Sequence, residues 1–386
     1  MSADGATADR LRAAFEANFE NGAEVGAALT VWQDGREIFS ASQGWRDAAR
    51  SIPWTPDTLV LIWSATKGLT SACVLHALDR AGLDLPARVA DFWPEFGENG
   101  KTGITVGEVL SHRAGLSALP NKTASFTDHE AVICAIEQQA ALWPAGEGHG
   151  YGPRTYGFVA DEIVRRLSGK TLGVYWREEF GEPMALDLWI GLPEGLHARV
   201  AHMLAPRAGV EDDFTRAMAV PGSLTREAFS TPAGLASPSA MNTPAMRSAS
   251  FPSFGGIGSA GSLAKFYAML AAGGEWDGRR YFSRRVLGWM CEPLTQGLDK
   301  TLCDETAFSA GFMLDPVDAA GKKRRSLFGP SPSAFGHPGA GGSLAFADPV
   351  NRIGFAYVMN QMEPGVLPKA RAVSLVRALY GIRGAG

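Results

Sequence analysis

Long apolar runs are missing from this 386-residue chain. No window approaches the roughly 18 consecutive apolar residues that mark a membrane helix, so no membrane partner is expected. Residues 1–20 are polar and charged and lack the apolar stretch of a secretion signal, so a cytoplasmic location is expected. Basic runs are missing as well. The 36 Lys and Arg stand against 40 Asp and Glu, a net charge of −4, which argues against a nucleic-acid partner. Cysteine is scarce. Cys73, Cys134, Cys291 and Cys303 lie far apart and form no Cys-x-x-Cys pair. Buried free thiols are expected there, not disulfides or a metal site. The seven histidines are dispersed, without a His-Glu-x-x-His, and nothing in the sequence calls for a metal or a cofactor. The Gly-x-Ser-x-Gly elbow that activates a serine in many hydrolases is absent too.

What remains is an ordinary globular composition, 46% hydrophobic and 20% charged, long enough for two lobes. Leu11 to Phe19 has the pattern of an amphipathic helix. Val25–Trp32 and Glu37–Ser42 flank Gln33-Asp34-Gly35 and predict a β-hairpin. Ser64 to Ala81 carries apolar residues at helical spacing and stops at Gly82. Thr105-Val106-Gly107-Glu108 has capping-box spacing. Tyr156–Leu167 predicts a helix closed by Gly169. From Gly191 to Gly261 the pattern dissolves into Pro, Gly, Ala and Ser with scattered Met and Phe, which predicts long binding loops. A helix is expected over Leu263–Ala271. Strands are expected over Ser309–Leu314, Ser343–Ala347 and Ile353–Met359, and a closing helix over Pro368–Leu379. Strands thus occupy both ends and helices the middle. The expected fold class is α+β: an antiparallel sheet flanked by helices, with an inserted, mainly helical lobe. The division expected is residues 1–86 with 305–386 for the sheet, and 87–304 for the helical part with its substrate-lining loops.

A serine three residues before a lysine on a helix places both side chains on one face. A serine hydroxyl is a poor nucleophile until a base takes its proton, and a lysine made neutral by burial can do so. With 26 serines and nine lysines, chance alone predicts ~0.6 such Ser-x-x-Lys matches. The chain has two, Ser64-Ala65-Thr66-Lys67 and Ser262-Leu263-Ala264-Lys265. The second reads as an N-cap serine and a solvated lysine. The first sits between the apolar run Leu59–Trp63 and an apolar helix, so Lys67 is expected to be enclosed.

Three motifs in order decide between them. Ser64-Ala65-Thr66-Lys67 comes first. Tyr151 follows 87 residues later in Gly148-His149-Gly150-Tyr151, with Trp143-Pro144 ahead of it. The last is His337-Pro338-Gly339-Ala340-Gly341-Gly342-Ser343. This ordered set, with Leu110-Ser111-His112-Arg113-Ala114-Gly115-Leu116 between the first two, resembles the class C β-lactamases and their esterase relatives, the family VIII carboxylesterases. The resemblance runs from about Val25 to Tyr380. It implies a β-lactamase/transpeptidase-like fold and an acyl-enzyme on Ser64. It implies that Lys67 and Tyr151 share the proton and that the N–H groups of Ser64 and Ala340 form an oxyanion hole. His337 and Gly339 would face substrate. Tyr156 is the rival for the tyrosine role, and His112 reads as a hydrogen-bonded structural residue, with contact to substrate as its alternative.

Two departures shape the expected substrate. The Tyr-x-Asn of the β-lactamases is here Tyr151-Gly152-Pro153, and their Lys-Thr-Gly is here His337-Pro338-Gly339. A literal Lys101-Thr102-Gly103 precedes Tyr151, in the wrong order, and reads as a surface turn. The expected reaction is hydrolysis of a small carboxylic ester. β-Lactam or D-amino-peptide hydrolysis and acyl transfer are the alternatives of the same fold, and an inactive binding module is the alternative of another class.

Overall fold

The computed structural model describes residues 3–207 and 209–382. Its main feature is an eight-stranded antiparallel sheet. The strands of the chain are β1 (Gly26–Gln33), β2 (Arg36–Gly44), β3 (Val60–Leu61), β4 (Leu188–Ile190), β5 (Gly256–Gly258), β6 (Glu275–Trp276), β7 (Arg279–Arg280), β8 (Thr295–Leu298), β9 (Glu305–Phe308), β10 (Met313–Leu314), β11 (Phe335–Pro338), β12 (Leu344–Asp348) and β13 (Ile353–Met359). The large sheet has the order β2-β1-β13-β12-β11-β10-β9-β8, so the N-terminal hairpin pairs with the C-terminal one. β3, β5 and β4 form a separate small sheet.

The β1–β2 hairpin closes where Asp34 and Gly35 both take positive φ, 50° and 73°, the geometry a two-residue hairpin turn needs. β1 then shows the two-residue period of a strand buried on both faces. Ala27, Leu29 and Val31 join Phe15, Phe355, Tyr357, Leu375 and Leu379 in one core, and Ala28 faces the other. The terminal helices Ala3–Ala17 and Ala370–Tyr380 pack together over the first face. Helix Ala260–Ala271 lies on the second, against β1, β12 and β13. Both this helix and β8 fall within residues 87–304, yet they pack with the sheet.

Several local expectations change. Of the strand expected over Ser309–Leu314 only Met313–Leu314 forms, as β10; Ser309–Phe312 is the turn that joins it to β9, where Gly311 takes φ 85°. The segment from Gly191 to Gly261 is not irregular throughout. Helices Asp213–Ala219, Leu224–Ser230 and Pro244–Ser248 form there, opened by the capping side chains of Asp212, Ser223 and Thr243. Lys101 is not on a surface turn. It is fully buried, and its Nζ donates to the carbonyls of Glu98, Glu137 and Gln139. Ser262 is not the N-cap of its helix. Ser259 caps it by accepting from the Ser262 amide, while the Ser262 hydroxyl accepts from Asp187 N at 2.8 Å. Lys265 donates to the Met184 carbonyl. All four cysteines are free, but only Cys73 is buried; Cys134 is exposed, and Cys291 and Cys303 lie between. The capping box at Thr105 and Glu108 forms as its spacing predicts. No helix among the described residues is long and apolar enough to cross a membrane.

Candidate active site

Ser64 stands at a sharp corner. The chain leaves β3, passes a 3₁₀ turn at Trp63–Ala65, and enters helix Thr66–Arg80. Trp63 takes the left-handed conformation, φ 48°, a backbone state that costs a bulky residue of order 1–3 kcal/mol. Thr66 fixes that corner. Its hydroxyl donates to Trp63 O at 2.5 Å and accepts from Gly256 N at 2.8 Å. The corner keeps Ser64 half-buried at the start of a helix, where the first backbone N–H groups have no partner within the helix.

Lys67, one turn on, is fully buried. Its Nζ donates to Ser253 O at 2.9 Å and Pro153 O at 3.1 Å. It lies 4.7 Å from the centre of the Tyr151 ring and 5.9 Å from that of Tyr156. Burial drives its pKa well below the ordinary lysine value, because the ammonium is the form that loses hydration.

The two candidate tyrosines are separated by their partners. Tyr156 is engaged: its phenol meets the Ser71 hydroxyl at 2.7 Å. The phenol oxygen of Tyr151 is buried without a hydrogen-bond partner among the described residues. Burial raises the Tyr151 pKa, the nearby Ser64 hydroxyl lowers it, and Asp299 and Tyr156 raise it further. Ser64 and Tyr151 therefore face each other closely enough to interact, although their oxygens do not meet in good hydrogen-bond geometry. The structure thus brings Ser64, Lys67 and Tyr151 together and turns Tyr156 toward Ser71.

His337 lies on β11, fully buried, with its ring 5.9 Å from that of Tyr151. Its Nδ1 is 2.7 Å from Pro338 O, which makes Nδ1 the protonated nitrogen and leaves Nε2 an acceptor. That Nε2 has no hydrogen-bond partner among the described residues. Burial first and the nearby Lys67 second push the pKa down to about 3, so His337 is neutral at pH 7. Gly339 follows, with its amide already donating to Ser343 O at 2.7 Å. It is a glycine because an added Cβ would lie 2.2 Å from Ile62 O, at the foot of the Ser64 corner. The Ala340 amide donates to no other group among the described residues. The Glu363 amide holds the neighbouring Gly341 carbonyl at 2.8 Å, and Arg371 holds the Glu363 carboxylate at 3.1 Å.

Three further residues matter here; His112 lies in the family-like segment Leu110–Leu116, whereas the sequence around Ser253 and Asp299 does not announce them. Ser253 accepts from Gly157 N at 2.6 Å and donates to Arg154 O at 2.8 Å, tying the loop behind Lys67 to helix Thr155–Ser168. His112 packs under Tyr151 and Tyr156, its ring 5.0 Å and 4.8 Å from theirs. Its Nδ1 accepts from Gly152 N, so it braces the tyrosines from behind. Asp299, wholly buried, accepts from Tyr151 N at 3.0 Å. The segment Gly148-His149-Gly150-Tyr151 contains His149, the neighbour of that carboxylate; Asp299 itself carries no motif signal. Among the described residues no cluster of three or more His, Cys, Asp or Glu could hold a metal ion.

A sequence family described as beta-lactamase matches residues 11–379. The chain is 32% identical over 363 residues to "Esterase/beta-lactamase LipL" of Mycobacterium tuberculosis, covering 90% of this chain and 80% of that one. A penicillin-binding protein homologue from Caulobacter crescentus superposes with a TM-score of 0.87 at 35% identity, over 97% of both chains. A family VIII carboxylesterase does so with a TM-score of 0.86 at 34% identity, again over 97% of both.

Proposed function

The chain belongs to the beta-lactamase family and is a serine hydrolase of that fold, and on that premise we propose that it cleaves small, uncharged carboxylic esters through an acyl-enzyme on Ser64. The observation that carries this reading is the opposite displacement of two neighbouring groups. Lys67 is driven toward the neutral amine and Tyr151 toward the neutral phenol, beside a half-buried serine. In the proposed reaction the Lys67 amine removes the Ser64 proton as Oγ bonds to the ester carbonyl carbon. The N–H groups of Ser64 and Ala340 hold the oxyanion. Collapse breaks the bond to the alcohol oxygen. That oxygen takes the Tyr151 proton, and the Lys67 ammonium returns one to the phenolate. Water then releases the acid by the reverse sequence.

The preference for an uncharged ester over a lactam rests on the third motif. A lysine and a threonine there would meet a substrate carboxylate with a charge-assisted bond worth about 1.5–3 kcal/mol. Here the position holds a neutral histidine and a proline without a hydroxyl.

The test is a panel of short-chain chromogenic esters and one chromogenic cephalosporin, run on wild type, Ser64→Ala and the double variant His337→Lys, Pro338→Thr. Wild type should favour esters strongly, Ser64→Ala should lose all turnover, and the double variant should shift the ratio toward the cephalosporin. A wild-type enzyme faster on cephalosporin than on every ester would overturn the ester reading.

A further inference from the structure

We propose that Asp299 is a positioning residue that sets Tyr151 in its working place by gripping the tyrosine's own backbone amide. This rests on the role given to Tyr151 above. Asp299 lies 148 residues downstream, on the segment that leaves β8, and its side chain is wholly inaccessible to solvent. One oxygen, Oδ1, accepts from Tyr151 N at 3.0 Å, Thr301 N at 2.8 Å and Leu302 N at 2.9 Å. The other, Oδ2, accepts from the Thr306 hydroxyl at 3.2 Å and lies 3.3 Å from Tyr151 N. Burial pushes the Asp299 pKa up, while every hydrogen-bond partner of its side chain is a donor and opposes that shift by favouring the carboxylate, which accepts only.

The grip is braced on the far side. His149 Nε2 lies 3.8 Å from Oδ2 and 2.7 Å from the Thr306 hydroxyl, and His149 Nδ1 meets Thr295 at 3.0 Å. The His149 carbonyl accepts from Lys300 N at 3.0 Å. The loop carrying the tyrosine is therefore stitched to the 299–306 loop at both residue 149 and residue 151. The phenol oxygen at the other end has no hydrogen-bond partner among the described residues. The position of that oxygen is set from the backbone, where Asp299 holds the Tyr151 amide and His112 holds the amides on either side, Gly150 and Gly152. A reacting group displaced by about 1 Å can lose roughly a hundredfold in rate.

The test is a double-mutant cycle. Asp299→Asn keeps an acceptor oxygen for the three amides and removes the charge. Asp299→Ala removes the grip. In ester hydrolysis kcat should fall about tenfold for Asn and about a hundredfold for Ala, with KM nearly unchanged. In a Tyr151→Phe background the same substitutions should cost less than threefold, because the residue acts through a phenol already gone. An equal loss in both backgrounds, or wild-type kcat in Asp299→Ala, would overturn the inference. If Tyr151→Phe alone were fully active, the role of Tyr151 would fall first and the inference with it; if that variant were inactive and Asp299→Ala unimpaired, only the inference would fall. Should neither Asp299 variant melt cooperatively, Thr306→Val, which removes one donor to Oδ2 and keeps the charge, should lower kcat several-fold only when Tyr151 is present. Its failure to do so counts against the inference in the same way.

Discussion

Gly339→Ala is the most informative small change the structure offers. A Cβ at that position lies 2.2 Å from Ile62 O and 3.2 Å from both Ile62 C and Ser343 Cβ. Carbon and carbonyl oxygen need about 3.3 Å, so the two segments must part by about 1 Å. Neither can yield easily. Ile62 is pinned by its amide to Gly256 O at 2.9 Å and by its carbonyl to Ala65 N at 3.2 Å. Gly339 is pinned to Ser343 O at 2.7 Å. The separation therefore moves Ala340 away from Ser64, and these are the two residues whose amides would share the oxyanion. Losing one oxyanion donor costs about 10²–10³ in kcat, and a displacement of this size should cost about a hundredfold. Overpacking should also lower stability by about 1–3 kcal/mol. The assay is kcat and KM on one chromogenic ester beside a thermal melt. Gly195→Ala is the control, since Gly195 is exposed and an added Cβ meets nothing within 4 Å. A Gly339→Ala enzyme that melts normally and keeps kcat within about threefold of wild type refutes the reasoning.

The remaining predictions concern the tyrosines and acid stability. Tyr151→Phe should lower kcat by about 10²–10⁴-fold, the usual share of a positioned acid–base group, whereas Tyr156→Phe should lower stability and leave kcat within a few-fold; the reverse pattern would exchange their roles. His337 and His76 are held neutral by burial, at about 3 and about 4, so the unfolded chain binds more protons than the native one below pH 6.5. Their penalty is absent above about pH 6.5, grows by about 1.4 kcal/mol per pH unit per group as pH falls, and is complete near the native values. His337→Asn should remove one proton's worth of that slope between pH 6 and 4 in denaturant titrations, and an unchanged slope would place the acid sensitivity elsewhere.

The parts of this protein that were legible in its sequence are those built from neighbours along the chain. The Asp34-Gly35 turn, the capping box at Thr105 and Glu108, and the Gly169 cap each depend on four or five consecutive residues, and each forms as read. The pairing of both chain ends in one sheet followed from the strand patterns at either end. Most of the misreadings involve contacts between distant segments. Lys101 looks like a surface lysine because the carbonyls of Glu137 and Gln139 that bury it are 36 and 38 residues away. Ser262 looks like a cap because the competing Ser259 lies only one turn earlier, and the Asp187 amide that claims its hydroxyl is 75 residues away. Asp299 was invisible for the same reason. An aspartate that holds a backbone amide needs no motif, only a fold that delivers the amide.

The motif order carries meaning because the fold gives each motif a different kind of work. Burial alone moves Lys67 and Tyr151 in opposite directions, since it penalises a cation in one and an anion in the other. In water a lysine is charged and a tyrosine neutral near pH 7, so the pair could pass no proton without first creating a free amine. In this site burial pushes both groups toward their uncharged forms, and in the proposed reaction a proton taken from Ser64 by the amine would produce the single charge of the acylating step. No carboxylate neutralises that charge; the partners of Lys67 Nζ are the Pro153 and Ser253 carbonyls. Carbonyl dipoles stabilise an ammonium without fixing it as one, whereas an adjacent aspartate would hold the proton on the lysine and remove the base. The carboxylate of the site, Asp299, is accordingly placed against the Tyr151 backbone, where it holds position and leaves the lysine free to accept.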